Sequence, residues 1–210
     1  MQSELARIGQ PPSAVEWFAA VRPVEPGPFP SIGARGCFLS HLEILTAASA
    51  ARLGRILILE DDADFSENFQ TRIGAIVERL SVRPWDMFYG GGYMDSPQVS
   101  GDELMVVDPI SAIKCSHCVA FQGDAMNRVR DYLQAQLGRP PGHSKGGPMH
   151  VDGSYSWARR ELGLRTLMAI PELCRQRSSR SDIAALQWWD RVAGIRAVFS
   201  LARKLRSGLG

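Results

Sequence analysis

The sequence has no apolar run approaching the roughly 18 to 20 residues that a membrane-spanning helix needs. Its first residues also lack the apolar stretch of a secretory signal. Cysteines are scarce and scattered, which argues against a disulfide framework; there are four, Cys37, Cys115, Cys118 and Cys174. These absences exclude a multi-span membrane protein and a disulfide-stabilised secreted domain, so we expect a chain of the reducing cytoplasm.

Acidic residues are absent from residues 191–210, which carry five basic side chains. The other 190 residues hold 19 basic and 22 acidic side chains, a net charge of −3, so no nucleic-acid partner is expected. Apolar residues recur at helical spacing through the same region. We predict a basic amphipathic helix over residues 186–210 that contacts an anionic inner-membrane surface through residues 191–210. The alternative is a helix that packs on the rest of the chain.

What is present indicates an α/β domain. A continuous apolar run over residues 55–59 predicts a strand buried on both faces. Strands are also predicted over residues 85–89, 104–107, 118–121 and 165–170, and helices over 37–53, 66–80, 124–137, 154–162 and 182–206. The eleven residues 138–148 contain four glycines and three prolines and predict a mobile loop. Alternating strands and helices favour the α/β class.

The strongest chemical signal is the run Glu60-Asp61-Asp62-Ala63-Asp64, directly after the first predicted strand. Open α/β sheets bind ligands outside the carboxyl ends of their strands. Four carboxylates within five residues repel one another unless a cation lies among them, and divalent cations take oxygen ligands readily. The run therefore predicts a divalent metal site. The alternative is a solvated acidic turn before the next helix.

Two blocks of sequence resemble glycosyltransferase family 25, which contains bacterial enzymes of lipopolysaccharide synthesis and related collagen-modifying galactosyltransferases. The first block has the pattern Gly-x-x-Gly-Cys-x-x-Ser-His, formed by Gly33, Gly36, Cys37, Ser40 and His41. The second block runs from Leu57 to Asp62. Residues 149–157 and 179–183 are more weakly similar, and the likeness covers most of residues 10–185.

The resemblance implies one GT-A-like domain over residues 1–185, with a Rossmann-type nucleotide-binding sheet flanked by helices. It implies a nucleotide-sugar donor and Mn²⁺ or Mg²⁺ held by an acidic motif. Asp62 is then expected to contact the metal, with Asp64 as an alternative ligand because Asp62-Ala63-Asp64 is itself an Asp-x-Asp sequence. Glu60 and Asp61 are expected to face the ribose and nucleotide.

The resemblance also suggests a catalytic base. Asp152 follows the Gly/Pro-rich loop and opens a helix, so it is the candidate for deprotonating the acceptor hydroxyl. The alternative is an aspartate that only caps the helix. His150 is a candidate further metal ligand or a surface histidine.

Four further residues are candidates for binding the donor. Ser40 and His41 lie in the helix before the acidic strand and are expected to face the donor, or else to be satisfied within the core. Arg177 and Arg180 are expected to clamp the diphosphate with their forked donors, or else to form a solvated basic turn.

The predicted function is a metal-dependent, inverting glycosyltransferase that moves a hexose, galactose from UDP-galactose, onto a lipopolysaccharide or other surface-glycan acceptor. Its predicted location is cytoplasmic and peripheral to the inner membrane. The alternative is a catalytically inactive relative that acts as a binding module.

The start of the chain differs from the family pattern. Family members open with a short apolar strand, whereas residues 1–8 here resemble the helix after that strand and residues 18–21 resemble the next strand. We therefore expect a nucleotide-binding sheet that lacks the family's first strand.

Overall fold

The computed structural model describes residues 1–95 and 103–177. Predictions for Arg180, for the helix over residues 182–206 and for the basic tail at 191–210 lie outside the described residues and stay predictions. The domain boundary at residue 185 does so too. No helix within the two described ranges has the length and apolarity to cross a bilayer.

The described residues form alternating helices and strands, which confirms the α/β class. A short 3₁₀ helix at Pro12–Ala14 follows the first α-helix. In chain order the elements are α1 (Gln2–Arg7), α2 (Ile32–Ala50), β1 (Arg55–Leu59), β2 (Ala63–Phe65), α3 (Phe69–Val82), β3 (Met87–Tyr89), β4 (Leu104–Val107), β5 (Cys118–Gln122), α4 (Ala125–Leu137), α5 (Val151–Leu162), β6 (Thr166–Ala169) and β7 (Cys174–Gln176).

Two sheets organise these elements. A mixed five-stranded sheet has the order β1-β5-β3-β6-β4, in which only the β3–β6 pair is parallel. A two-stranded sheet pairs β2 with β7. Helices flank the large sheet. Apolar residues of α2, α4 and α5 share one buried cluster, and those of α1 and α3 belong to a second.

Helix α2 begins five residues earlier than its apolar spacing predicts. The Ser31 side chain accepts a hydrogen bond from the Ala34 backbone N–H at 3.0 Å and so caps the helix. Phe38, Leu42 and Leu45 then recur at the helical period and are buried against the sheet. This packing fixes the face of α2 that carries the Gly-Cys-Ser-His block.

Strand β1 has the predicted bounds but not the predicted burial. Only Ile58 is fully buried, and the Leu57 side chain is 53% exposed. The reason is topological, because β1 is an edge strand whose one partner among the described strands is β5. A continuous apolar run therefore did not mean burial on both faces in this case. Leu57 instead lines an apolar groove beside Val77 of α3.

Two other predictions were wrong in part. Residues 18–21 do not form a strand; the Val21 N–H instead donates to the Ser40 hydroxyl at 2.9 Å. Helix α3 begins at Phe69 rather than Ser66, because Ser66 makes a turn in which its carbonyl accepts from the Phe69 N–H at 3.0 Å. The helix over residues 2–7 agrees with the one expected there.

Candidate active site

The acidic run lies where β1 ends and turns into β2. The Ala63 N–H donates to the Glu60 carbonyl at 3.1 Å, which closes a turn with Asp61 and Asp62 in its centre. Because β1 and β5 are antiparallel, the end of β1 meets the start of β5, and the Glu60 N–H donates to the His117 carbonyl at 2.9 Å. The turn therefore faces the segment that precedes β5.

Glu60 is held by two side chains from distant parts of the sequence. The Ser116 hydroxyl donates to Glu60 Oε1 at 2.6 Å, and His41 Nε2 lies 3.4 Å from the same oxygen. Burial alone would raise the pKa of Glu60, but hydrogen bonds from His41 and Ser116 and the charges of His41 and His117 lower it overall. Glu60 is therefore a well-anchored carboxylate with only a small exposed fraction.

Of the two α2 candidates, His41 faces the acidic turn and Ser40 does not. His41 is buried, and its Nδ1 lies 2.8 Å from the hydroxyl of the fully buried Tyr155. The Ser40 hydroxyl donates to the Gly36 carbonyl at 2.8 Å and accepts from Val21. Ser40 thus fastens the segment before α2, and the donor-binding role predicted for it stays a prediction.

Asp62 has one satisfied and one unsatisfied oxygen. The Gln176 side-chain amide donates to Oδ2 at 2.9 Å, whereas Oδ1 is buried and has no hydrogen-bond partner within the described parts of the chain. Burial, reinforced by the charges of Glu60 and Asp61, raises the pKa of Asp62 against the opposing effect of Gln176. A bound cation would satisfy Oδ1 and offset that repulsion. Asp61 is exposed.

Asp64 and Arg177 are engaged with each other. Arg177 Nε donates to Asp64 Oδ1 at 3.0 Å, and this hydrogen bonding lowers the pKa of Asp64. The Arg177 N–H also donates to the Asp62 carbonyl at 2.7 Å, so the β2–β7 sheet brings all three residues together. Metal binding by Asp64 or diphosphate binding by Arg177 would have to compete with this pair.

Asp152 lies in the first turn of α5, and His150 is the residue that caps the helix. The Cys115 N–H donates to Asp152 Oδ2 at 3.0 Å and the Gly153 N–H donates to Oδ1 at 2.7 Å. Asp152 is thus not the cap residue itself, although the helix N-terminus favours its negative charge. The two donors fix the direction of a carboxylate that remains partly exposed.

Two cysteines show that the three carboxylates share one region. Burial, reinforced by the charges of Glu60, Asp152 and Asp62, raises the pKa of the Cys37 thiol. Burial also raises the pKa of the Cys115 thiol, and the charges of the same three carboxylates add to the effect. The contacts agree, because the Cys115 N–H donates to Asp152 and the hydroxyl of the adjacent Ser116 donates to Glu60, so the β1 turn and the start of α5 meet at the segment before β5.

The glycines at 90–92, directly after β3, allow close packing at this end of the sheet. A Cβ on Gly90 would lie 2.3 Å from the Cys118 sulfur, and one on Gly91 would lie 1.9 Å from the Cys174 carbonyl oxygen. His117 packs in the same place and its Nε2 donates to the Cys174 carbonyl at 3.0 Å. The run Gly90–Gly92 thus lets β7 approach the large sheet closely, which positions Gln176 beside Asp62.

The sequence offered no signal for several residues that complete the site. Ser116, His117 and Gln176 belong to segments whose local pattern says nothing about the acidic turn, and they reach it only through the β1–β5 and β2–β7 pairings. Tyr155 could have been noticed, since it follows Asp152 by three residues on the same helical face.

Comparison with known proteins points to the same part of the chain. The family model "Glycosyltransferase family 25 (LPS biosynthesis protein)" matches residues 29–96, which include α2 and the acidic turn. A Mus musculus protein, "Inactive glycosyltransferase 25 family member 3", is 35% identical over 157 residues, 66% of this chain and 25% of that protein. An Aedes aegypti "Glycosyltransferase 25 family member" is 31% identical over 98 residues, 44% of this chain and 16% of that protein.

A third relative carries a named activity. The Xenopus laevis "Procollagen galactosyltransferase 1-B" is 31% identical over 98 residues, 43% of this chain and 16% of that protein. The chain therefore spans a quarter or less of the length of these three relatives.

Proposed function

The chain belongs to the glycosyltransferase 25 family, and from this premise we propose that it is a metal-dependent, inverting glycosyltransferase. The proposed reaction moves a hexose, galactose from UDP-galactose, onto a lipopolysaccharide or other surface-glycan acceptor. We also propose a cytoplasmic location with peripheral contact to the inner membrane through residues 191–210, and no nucleic-acid partner.

The observation that carries the proposal is the buried Oδ1 of Asp62 at the end of β1, which has no hydrogen-bond partner among residues 1–95 and 103–177. Mn²⁺ and Mg²⁺ prefer oxygen ligands, so the carboxylate oxygens of the acidic turn fit either ion. Asp62 would hold the cation, and His150, at the N-terminus of α5, is the candidate further ligand. Asp64 remains the alternative, but its pairing with Arg177 favours Asp62. When bound, the cation would neutralise the departing nucleoside diphosphate.

The chain's own residues would divide the remaining work. Asp152 would take the proton from the acceptor hydroxyl, and its hydrogen bonds from Cys115 and Gly153 would hold the carboxylate in place for that step. Glu60 and Asp61 would bind the ribose and nucleotide. His41 would help to hold the Glu60 carboxylate in place, since its Nε2 lies 3.4 Å from Glu60 Oε1.

The most informative experiment is a donor screen. The purified chain would be incubated with a panel of nucleotide sugars and Mn²⁺, and release of nucleoside diphosphate would be followed with and without a chelator. We expect Mn²⁺-dependent hydrolysis of one UDP-hexose, which then identifies the donor for an acceptor screen. Absence of hydrolysis and of transfer with every donor would contradict the enzymatic proposal.

A second function is supported by the names of some relatives. The Mus musculus protein is called inactive, as is a Homo sapiens relative that is 37% identical over 68 residues, 31% of this chain and 11% of that protein. The second proposal is therefore a binding module without transferase activity. Donor binding in calorimetry combined with no turnover in the donor screen would favour it over the enzyme.

A further inference from the structure

Beside the acidic turn, Cys37, His41 and Glu60 bring three different ligand types together. One ligand atom from each residue lies within 4.8 Å of the other two. Cys37 and His41 are four residues apart on α2 and therefore share a helical face. His41 Nε2 and Glu60 Oε1 are 3.4 Å apart. Two ligands with bonds of about 2.0–2.1 Å to a tetrahedral ion are separated by roughly that distance.

Tyr155 supplies the outer contact that such a histidine needs. Its hydroxyl lies 2.8 Å from His41 Nδ1, and both side chains are buried. Metal-binding histidines usually hydrogen-bond through the ring nitrogen that does not bind the metal, which fixes the orientation and tautomer of the ring. Loss of the Nε2 proton that faces Glu60 would leave the Nε2 lone pair available to an ion, with the Tyr155 oxygen accepting from Nδ1–H.

The charge around the cluster favours a cation. Burial raises the pKa of the Cys37 thiol, and the negative charges of Glu60, Asp152 and Asp62 add to this effect. A dication would reverse that balance, because the thiol would release its proton and bind as thiolate. The same three carboxylates would then stabilise the ion instead of opposing the ligand.

We propose that Cys37, His41 and Glu60 bind Zn²⁺, at a site separate from the oxygen site of Asp62. Sulfur, nitrogen and one carboxylate oxygen are the ligand set that zinc takes, with a fourth position left for water. The hard ions Mn²⁺ and Mg²⁺ would not select a thiolate. Glu60 takes part in both proposals, but Zn²⁺ binding is measured without a sugar donor, so the zinc site and the transferase activity are tested separately.

Cobalt provides the direct test, because a thiolate bound to Co²⁺ gives a charge-transfer absorption that oxygen and nitrogen ligands do not. The metal-free full chain would be titrated with Co²⁺, and Zn²⁺ would then be added to displace it. We expect one equivalent of Co²⁺ to produce the thiolate absorption and Zn²⁺ to abolish it. Cys37→Ser should remove the absorption and weaken Zn²⁺ binding more than tenfold.

Three further variants separate this site from its surroundings. Tyr155→Phe should keep the absorption but weaken Zn²⁺ binding about 10- to 100-fold through loss of the outer contact. Cys115→Ser and Asp62→Asn should leave the absorption in place. Circular dichroism would verify that each variant is folded. The proposal is overturned if the wild-type chain shows no thiolate absorption, or if the absorption survives in Cys37→Ser and disappears in Cys115→Ser.

Discussion

Within five residues, the carboxylates of the acidic run have three different surroundings. Glu60 is anchored by Ser116 and His41, Asp64 is paired with Arg177, and Asp62 keeps one buried oxygen without a partner in the described ranges. Such differences decide which carboxylate is available to a cation, because a paired carboxylate must first break its existing contacts. They also distinguish Asp62 from Asp64 as a candidate metal ligand, a choice that the sequence alone leaves open.

Asp152 allows a test of the proposed base. Asp152→Asn keeps the shape of the side chain and can still bind the Cys115 N–H through its amide oxygen, so the fold and donor binding should be retained. Transfer should fall by about 10²- to 10⁴-fold, since the amide cannot accept the acceptor proton. Steady-state transfer rates and donor calorimetry on the same preparation measure both. Transfer within about threefold of the wild type would leave Asp152 only a structural role.

At the scale of elements, replacing a glycine by alanine should have opposite effects on stability at the end of the sheet and in α3. Gly91→Ala should destabilise the fold by about 1–3 kcal/mol, because the new Cβ would lie 1.9 Å from a backbone carbonyl that cannot easily move. Gly74→Ala is the matched control. Gly74 is exposed within α3 and has open space around it, so alanine should stabilise the helix by about 0.5–1 kcal/mol.

Urea unfolding followed by circular dichroism would compare both glycine variants with the wild type. If Gly91→Ala unfolds at the same urea concentration as the wild type, the close approach of β7 to the large sheet is wrong.

The parallel β3–β6 pair should show a pH-dependent contribution to stability. Arg165 donates from Nε and Nη2 to the Asp86 carboxylate at 2.9 and 2.8 Å, and these hydrogen bonds lower the pKa of Asp86. A lowered folded-state pKa means that the stabilisation is complete above the unfolded aspartate pKa of about 3.9 and is lost as pH falls through the folded value. Asp86→Asn should therefore destabilise the chain at pH 7 and have a smaller effect near pH 2.

Urea midpoints of wild type and Asp86→Asn across that pH range give the measurement. Asp131→Asn, at a mostly exposed aspartate that pairs with its neighbour Arg130, serves as the control and should change little at either pH. A difference between wild type and Asp86→Asn that does not shrink with acidification would contradict the assignment.

Local patterns predicted some elements well and others not at all. The bounds of β1 and β4 follow from short apolar runs between turn signals, and the sequence predicted both correctly. Strands β2 and β7 have three residues each and carry no periodicity, so only their pairing across more than a hundred residues defines them. The exposure of Leu57 likewise depends on which strands lie beside β1, and composition contains no such information.

At the scale of the whole molecule, the described chain concentrates its chemistry at one end of the large sheet. The sequence predicted Glu60, Asp62 and Asp152 as parts of one site, and in the structure Glu60 and Asp152 accept hydrogen bonds from the adjacent residues Ser116 and Cys115. The side chains that set the environment of Glu60 and Asp62, Ser116 and Gln176, reach them through long-range strand pairing that no local pattern specifies. The sequence therefore predicted which residues follow the strand ends, but it did not predict the side chains that contact them.

The most direct test of the central claim is calorimetry of UDP-galactose binding to the folded chain with and without Mn²⁺. We predict Mn²⁺-dependent binding by the wild type, its loss in Asp62→Asn, and its retention in Asp64→Asn, because Asp64 is already paired with Arg177. Circular dichroism would show that both variants keep the fold. Unchanged Mn²⁺ and donor affinity in Asp62→Asn would contradict the assignment of Asp62 as the metal-binding carboxylate.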